Sequence, residues 1–218
     1  MKKGKMTVTV LGIMAAMAAS VSVCSASDQS GASDAYYAMT DAEEWDLSGF
    51  AQRAYLRYTG GAVKAATEVR PEYLESDDRA FLYYWYQYHI NDGRISDAGE
   101  YHDISSDDLN AIGVDLFGDW TSNDMNALMD NYVESSDGNG GVYMNSIGDF
   151  GDAGELYFDK KSVSLDSDGV TLLVTGKVQI FNRNSGRYDD DFSYTAEYDY
   201  TGCTAFNGWK LDCVTIGY

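Results

Sequence analysis

The chain has 218 residues, 44% of them hydrophobic, and a formal net charge of −20 at pH 7. This length and hydrophobic fraction are enough for one folded domain with a sizeable core. So large an excess of negative charge repels phosphate groups, which argues against binding to nucleic acid or to anionic lipids. It leaves room for a cationic partner or for loosely held divalent cations, although a solvated acidic surface explains the charge more simply.

The first 26 residues have the layout of a secretory signal peptide. Lys2, Lys3 and Lys5 precede an uncharged run of apolar and small residues over 6–23, and further small residues follow it. The alternative is an uncleaved anchor, because a run of this length could just span a bilayer. We therefore predict an exported protein that is either secreted or attached to the cell envelope.

Cys24 has two interpretations. Small residues before an acylated cysteine form the lipobox of bacterial lipoproteins, but Val23 directly before Cys24 departs from that pattern. The other interpretation is cleavage after Ala26, with Cys24 and Ala26 as the small residues of the cleavage site. Lipid on Cys24 would be the one membrane contact that the sequence predicts; otherwise this cysteine leaves with the leader.

Helical periodicity dominates residues 40–135, after a flexible lead-in over residues 27–39. Capping-box pairs and apolar positions spaced three and four apart predict helices, and Pro71 and Gly-rich segments separate them. The predicted helices cover residues 40–59, 62–69, 77–90, 105–117 and 121–133, with a loop over 91–100.

The hydrophobic period changes from 3.6 to 2 after Gly141, which predicts strands. Consecutive strands joined by short turns make an antiparallel meander, and one face of it needs a cover that the helices supply. The predicted fold class is therefore α+β, with N-terminal helices packed on a C-terminal antiparallel β-meander of four to five strands. One domain spans residues 40–218, with a helical part over 40–135 and a sheet part over 141–218. The predicted strands cover residues 142–147, 155–165, 170–180 and 192–200, and a last strand on which Trp209, Leu211 and Cys213 face one way.

Cys203 and Cys213 are the two cysteines that remain outside the leader. An even number of cysteines in an exported protein predicts a disulfide, and closing so short a loop would stabilise the fold by about 2–3 kcal/mol. The alternative is two free thiols. A metal site is not predicted, because two cysteines without a nearby histidine do not supply a usual ligand set.

The sequence lacks the common catalytic motifs. His89 and His102 are the two histidines, and no nucleophile elbow, zinc-protease motif, C-x-x-C, phosphate loop or dinucleotide fingerprint is present. A serine or cysteine nucleophile needs a base within reach, and none can be nominated. We therefore assign no catalytic residue, no cofactor and no metal, and keep a pair of carboxylates as the catalytic alternative.

The aromatic stretch FLYYWYQYHI over residues 81–90 is the first candidate for ligand binding. If one face of this helix fills the core, Tyr83 and Tyr86 lie on its flank or outside. Together with Trp85 they would then be able to stack on sugars or on a partner protein. The alternative is a wide buried stripe whose hydroxyl groups find partners at its edge.

The Gly-rich stretch NSIGDFGDAGE is the second candidate. Asp149, Asp152 and Glu155 are predicted to lie in a loop between two strands, where they would hold calcium or a polar ligand. The loop lacks the complete spacing of a calcium loop, so a solvated connection is the alternative.

The succession FLYYWYQYHI, ISSDDLNAIGVDLFGDW, NSIGDFGDAGE and the terminal NGWKLDCVTI is similar to uncharacterised secreted proteins and lipoproteins of Gram-positive anaerobes. The order of helices followed by a curved sheet also resembles the NTF2-like and cystatin-like folds. Those superfamilies contain both enzymes and binding modules, so the resemblance implies a fold and no particular activity.

The sequence predicts an exported, non-enzymatic binding or accessory domain of the cell envelope, with an extracellular protein, a glycan or a wall component as its partner. The alternatives are an NTF2-like enzyme that uses carboxylates in a pocket, and a structural envelope protein stabilised by cations. A deep apolar pocket that holds one buried Asp of raised pKa would favour the enzyme, whereas a shallow, solvent-filled groove would favour the binder.

Overall fold

The computed structural model describes residues 29–97, 101–136, 141–145 and 156–218. The helices of this part of the chain are α1 (Gln29–Ala38), α2 (Asp41–Thr59), α3 (Ser76–His89), α4 (Ser106–Phe117) and α5 (Ser122–Tyr132). The strands are β1 (Glu68–Val69), β2 (Ile95–Asp97), β3 (Tyr101–Ser105), β4 (Val133–Ser136), β5 (Gly141–Asn145), β6 (Leu156–Leu165), β7 (Thr171–Asn182), β8 (Arg187–Tyr200) and β9 (Trp209–Gly217).

The strands form two antiparallel sheets. The larger sheet has the order β1-β9-β8-β7-β6, and the smaller one has the order β2-β3-β5-β4. In β7 the residues alternate between buried and more exposed positions, which is typical of a sheet with one covered face. The predicted fold class is confirmed: the protein is α+β, with the helices towards the N-terminus and an antiparallel meander at the C-terminal end.

Helix α2 is fixed on the covered face of the larger sheet by three hydrogen bonds. The hydroxyl of Tyr198 donates to the carbonyl oxygen of Leu47 at 2.6 Å, and the side-chain amide of Gln52 donates to the carbonyl oxygen of Leu156 at 2.7 Å. The hydroxyl groups of Ser48 and Tyr194 are 2.5 Å apart. Because these groups are buried, each bond satisfies a polar atom that burial would otherwise penalise. They set the position of α2, whose first turns carry the candidate site.

Helix α3 is buried along most of its length. Every residue from Arg79 to Gln87 is buried, because α2, α4 and α5 all contact this helix. A helix that is apolar on all sides belongs in the interior. The buried guanidinium of Arg79 is neutralised by Asp119 at 2.9 Å and by Asp124 at 3.5 Å.

Three of the predicted helix starts are confirmed by their caps. Thr40 and Thr121 each form a complete capping box with the residue three positions later, and the side chain of Ser105 accepts a hydrogen bond from the backbone of Asp108. Each cap satisfies backbone N–H groups that have no partner inside the helix. These local signals depend on short spacings, so they can be read from the sequence.

The prediction of a flexible lead-in over residues 27–39 is wrong for residues 29–38, which form α1. Ala32 is completely buried, and the hydroxyl of Tyr36 donates to the carbonyl oxygen of Val163 at 3.4 Å. The side chain of Gln29 donates to the carbonyl oxygen of Asp168. Tertiary contacts therefore stabilise a helix whose Ser, Gly and Asp content disfavours it locally.

The short strands β1 to β4 were not predicted. The expected helix over residues 62–69 is replaced by turns and by β1, which pairs with β9 through Val69 and Val214. The expected loop over 91–100 contains β2, which pairs with β3. These strands are too short to show a clear alternating pattern, and β1 pairs with a strand far along the chain, so local periodicity does not reveal them.

The predicted disulfide is wrong, because no bond joins the sulfurs of Cys203 and Cys213. A β-bulge in β9 is the reason: Leu211 lies opposite Tyr198, but Cys213 lies opposite Glu197. The extra residue turns Cys213 to the other face of the sheet from Leu211. The sulfur of Cys203 instead lies 3.9 Å from the carbonyl oxygen of Asp115 in α4.

Candidate ligand-binding pocket

A cavity of about 420 Å³ opens between the start of α2, the end of α3 and the turn Ala205–Gly208, which we call the Phe206 turn. Its volume lies within the range of small-molecule sites. Charged and polar side chains line it together with aromatic rings. The lining residues used below are Glu43, Asp46, Tyr86, His89, Asp92, Phe206 and Asn207.

The first turns of α2 supply two carboxylates. The carboxylate of Glu43 accepts a hydrogen bond from the backbone N–H of Thr40 at 2.6 Å and from its hydroxyl at 2.7 Å. Asp46 follows three positions later, and residues at this spacing lie on the same face of a helix. The capping box that begins α2 therefore also fixes an acidic wall of the pocket.

Asp46 is half-buried and has no hydrogen-bond or ion-pair partner among the described residues. Burial, followed by the neighbouring charge of Glu43, raises the pKa of this carboxyl to about 6. The ionised form is disfavoured because neither water nor a cation compensates its charge fully. A carboxylate in this condition gains most from a ligand that brings a hydrogen-bond donor or a positive charge.

The segment after α3 contains Asp92, a carboxylate that, unlike Asp46, has both a hydrogen-bond partner and an ion-pair partner. Asp92 is buried, accepts a hydrogen bond from the hydroxyl of Tyr86 at 2.9 Å, and forms an ion pair with Arg94 at 2.6 Å. Arg94 also bonds Asp115 at 2.8 Å. Burial alone would raise the pKa of Asp92, but the bonds from Arg94 and Tyr86 outweigh it and hold the pKa below its usual value. Asp92 is therefore ionised and already neutralised.

His89 ends α3 beside the cavity. Its ring stacks on Trp85 with ring centroids 4.5 Å apart. Burial, together with the nearby charge of Arg53, lowers the pKa of His89 below its ordinary value. The imidazole is therefore neutral at pH 7 and brings no positive charge to the carboxylates of the pocket.

The Phe206 turn forms the opposite wall and carries an unusual backbone. Phe206, Asn207 and the following Gly208 have φ values of 45°, 55° and 101°, all in the left-handed region. The ring of Phe206 makes edge-on contacts with Phe50 and Tyr86, and the side-chain amide of Asn207 donates to the carboxylate of Glu43. Strained backbone of this kind persists only where its surroundings hold it, and it is frequent at ligand sites.

The aromatic residues predicted to form an exposed stacking surface are in the core instead. Tyr83, Trp85 and Tyr86 are 0%, 4% and 1% exposed, so the expectation that Tyr83 and Tyr86 lie on the flank of α3 is wrong. The cause is that α3 has neighbours on several sides, so that its flanks are also covered. Only Tyr86 lines the pocket, where its hydroxyl orients Asp92.

The other predicted site residues have different outcomes. Asp149, Asp152 and Glu155, as well as Cys24 and the predicted signal peptide, lie outside the described residues. Within the described part of the chain, no helix is both long and apolar enough to cross a membrane.

One further cluster contains Glu197, Asp212 and Cys213, whose side-chain ligand atoms lie within 4.8 Å of one another. The guanidinium of Arg70 already bonds both carboxylate oxygens of Asp212, at 2.7 and 2.8 Å. Burial, followed by the neighbouring charge of Glu197, raises the pKa of Cys213 to about 12. The thiol is therefore protonated, and this cluster is an ion-paired surface of the sheet.

Most of the pocket has no direct signal in the sequence. Glu43 was recognisable only as a capping residue, and nothing near Asp46, Asp92 or Phe206 in the sequence shows that they meet. The segments that form the cavity are far apart in the chain, and α2 and the Phe206 turn come together only when the sheet folds. The capping box of Thr40 and Glu43 was the one feature of the pocket with a local basis.

No family model matches the chain, and no curated protein or solved structure does either.

Proposed function

We propose that the chain is an exported, non-enzymatic binding domain of the cell envelope, and that the cavity between α2, α3 and the Phe206 turn holds a small polar ligand, such as part of a glycan or of another wall component. The single observation that carries the proposal is a ligand-sized cavity with a half-buried, unpaired carboxylate, Asp46, in its wall. The charged leader followed by an apolar run supports export.

The other carboxylates of the pocket already have partners within the chain, which favours binding over catalysis. Asp92 is the counter-ion of Arg94, and Glu43 caps α2, so neither carboxylate is available to transfer a proton at low cost. Aromatic rings and neutral hydrogen-bonding groups complete the lining, as in sites that orient a ligand.

One observation favours an enzyme as a second candidate. The lining contains Asp46, whose pKa of about 6 allows it to exchange a proton near neutral pH, and the neutral His89, and two titratable groups in one pocket are a frequent acid–base arrangement. Asp46 is only half-buried, however, and the cavity is lined by polar as well as apolar groups. If mass spectrometry of the recovered fragment shows that the protein has changed it chemically, the chain is an enzyme and not a binding domain.

A pocket-filling variant tests the binding function. Ala42 lines the pocket and is exposed, so Ala42→Trp fills the cavity without displacing core residues. Ala62→Trp adds the same ring at an exposed position that does not line the pocket, and it serves as the control. The probes are wall-derived amino sugars, neutral oligosaccharides and short stem peptides, added separately to the purified protein in a thermal-shift measurement.

We expect at least one probe to raise the Tm of the wild type by about 5–10 °C at a concentration near one hundred times its Kd. The Ala62→Trp variant should show the same rise, and Ala42→Trp should lose it. A rise that survives in Ala42→Trp would place binding elsewhere and contradict the proposal.

A further inference from the structure

The pocket has an uncompensated negative charge. Glu43, Asp46 and Asp92 all line it, and its described lining residues include neither lysine nor arginine. His89 does not compensate them, because its lowered pKa leaves it neutral. A cleft lined by one sign of charge concentrates counter-ions, and the net charge of −20 adds to that field.

The three carboxylates differ in how far they are satisfied. Asp92 is neutralised by Arg94, and therefore contributes little to the excess. Glu43 receives hydrogen bonds from Thr40 and Asn207, which are neutral donors and leave its charge in place. Asp46 has no partner among the described residues. The excess negative charge thus lies on the α2 side of the cavity.

Aromatic rings stand around the same space. Phe206 and Tyr86 line the cavity with their rings 5.0 Å apart, edge to face, and the neutral ring of His89 lies at the end of α3. The faces of aromatic rings attract cations, and this attraction increases when the cation is partly removed from water. A pocket with carboxylates on one wall and aromatic rings on the others binds an ammonium group in preference to a neutral hydroxyl group.

We propose that the ligand of this pocket carries a protonated amine, as an amino sugar or a diamino-acid side chain does, and that the ammonium group pairs with Asp46 and Glu43. This inference rests on the proposed binding function and specifies its ligand class. The ammonium group donates hydrogen bonds to the two carboxylates and brings the positive charge that the lining lacks.

Matched pairs of small molecules test the charge requirement. D-glucosamine is compared with D-glucose, and cadaverine with 1,5-pentanediol, by NMR titration of the purified protein at pH 7 and low ionic strength. We expect each amine to bind at least ten-fold more tightly than its neutral partner. Equal or tighter binding of the neutral partners overturns the proposal, and so does the absence of binding by both amines.

Two substitutions of the same size locate the effect. Asp46→Asn removes the unpaired charge, and we expect it to weaken amine binding about ten-fold and leave the neutral partners unchanged. Asp130→Asn removes an exposed charge on α5, away from the pocket, and should leave both unchanged. If both variants weaken amine binding equally, the attraction comes from the net charge and the pocket assignment is wrong.

The outcome separates the two proposals. If Ala42→Trp abolishes the thermal shift from a wall fragment while the amines bind no better than the neutral partners, the binding function stands and the ammonium inference fails. If Ala42→Trp abolishes nothing, the binding function itself fails.

Discussion

Among the carboxyl groups of the described residues, Asp46 has the most strongly raised pKa. Burial and Glu43 raise its pKa to about 6, and no described cation lies beside it. Asp124 shows the contrast. Burial would raise the pKa of that carboxyl too, but bonds from Ser76 and Thr121 and the charge of Arg79 hold it below its usual value. A carboxylate that only supports the fold is satisfied, whereas Asp46 is left to interact with something outside the chain.

The pH dependence of stability tests the state of Asp46. The folded pKa of about 6 lies above the ordinary value of 3.8, so the folded chain holds the proton more tightly than the unfolded chain. Stability is therefore lost as the pH rises from about 4 through 6. We expect Asp46→Asn to match the wild-type Tm near pH 4 and to exceed it by about 2–4 °C at pH 7.5. This difference corresponds to about 1 kcal/mol for a half-exposed group.

Thermal melts between pH 4 and 7.5 measure this difference, with Asp130→Asn as the control for lost net charge. An Asp46→Asn difference that is constant over this pH range, or equal to that of Asp130→Asn, would show that the carboxyl titrates normally.

Among the elements, the Phe206 turn has a backbone conformation that the local preferences of its residues do not explain. Two consecutive non-glycine residues in the left-handed region, Phe206 and Asn207, are costly, and the turn is held by the packing of the Phe206 ring and by the bond from Asn207 to Glu43. The turn also needs a glycine at position 208, because a Cβ atom there would lie 2.5 Å from the ring of Tyr200.

Substitution of that glycine tests whether the turn is fixed. Gly208→Ala combines backbone strain with a clash, so we expect the free energy of unfolding in urea to fall by about 2–4 kcal/mol. Gly186→Ala is the matched control, since Gly186 also has a positive φ, of 64°, but nothing lies within 4 Å of its Cβ position. It should cost about 1 kcal/mol. An equal loss of unfolding free energy in the two variants would mean that the Phe206 turn can rearrange to accept the added Cβ atom.

The elements that the sequence predicted well are those with complete local signals. Helices α2, α4 and α5 begin at caps with hydrogen-bonding side chains, and β6 to β8 alternate over many residues. Helix α1 was missed because its stability comes from contacts such as that of buried Ala32. The bulge before Cys213 was missed because a single inserted residue changes which face the later side chains occupy, and no composition signal marks it.

At the scale of the whole molecule, the layers place an acidic cavity on an acidic protein. Helix α2 packs on the larger sheet, and α3 packs on α2. The cavity opens where the start of α2 and the end of α3 meet the Phe206 turn. The sequence predicted the layers and the charge, but not the cavity, because its walls come from both the helical and the sheet halves of the chain. The same arrangement places the unpaired Asp46 where a ligand from outside can reach it.

The most direct test of the pocket is an amide NMR titration of the labelled protein with the wall fragment that raises its Tm most. The account predicts that the largest chemical-shift changes occur at Glu43, Asp46, His89 and Phe206, and that the central residues of β7 do not respond. If the largest changes occur instead on the exposed face of the larger sheet, with the amides of the pocket unaffected, this cavity is not the binding site.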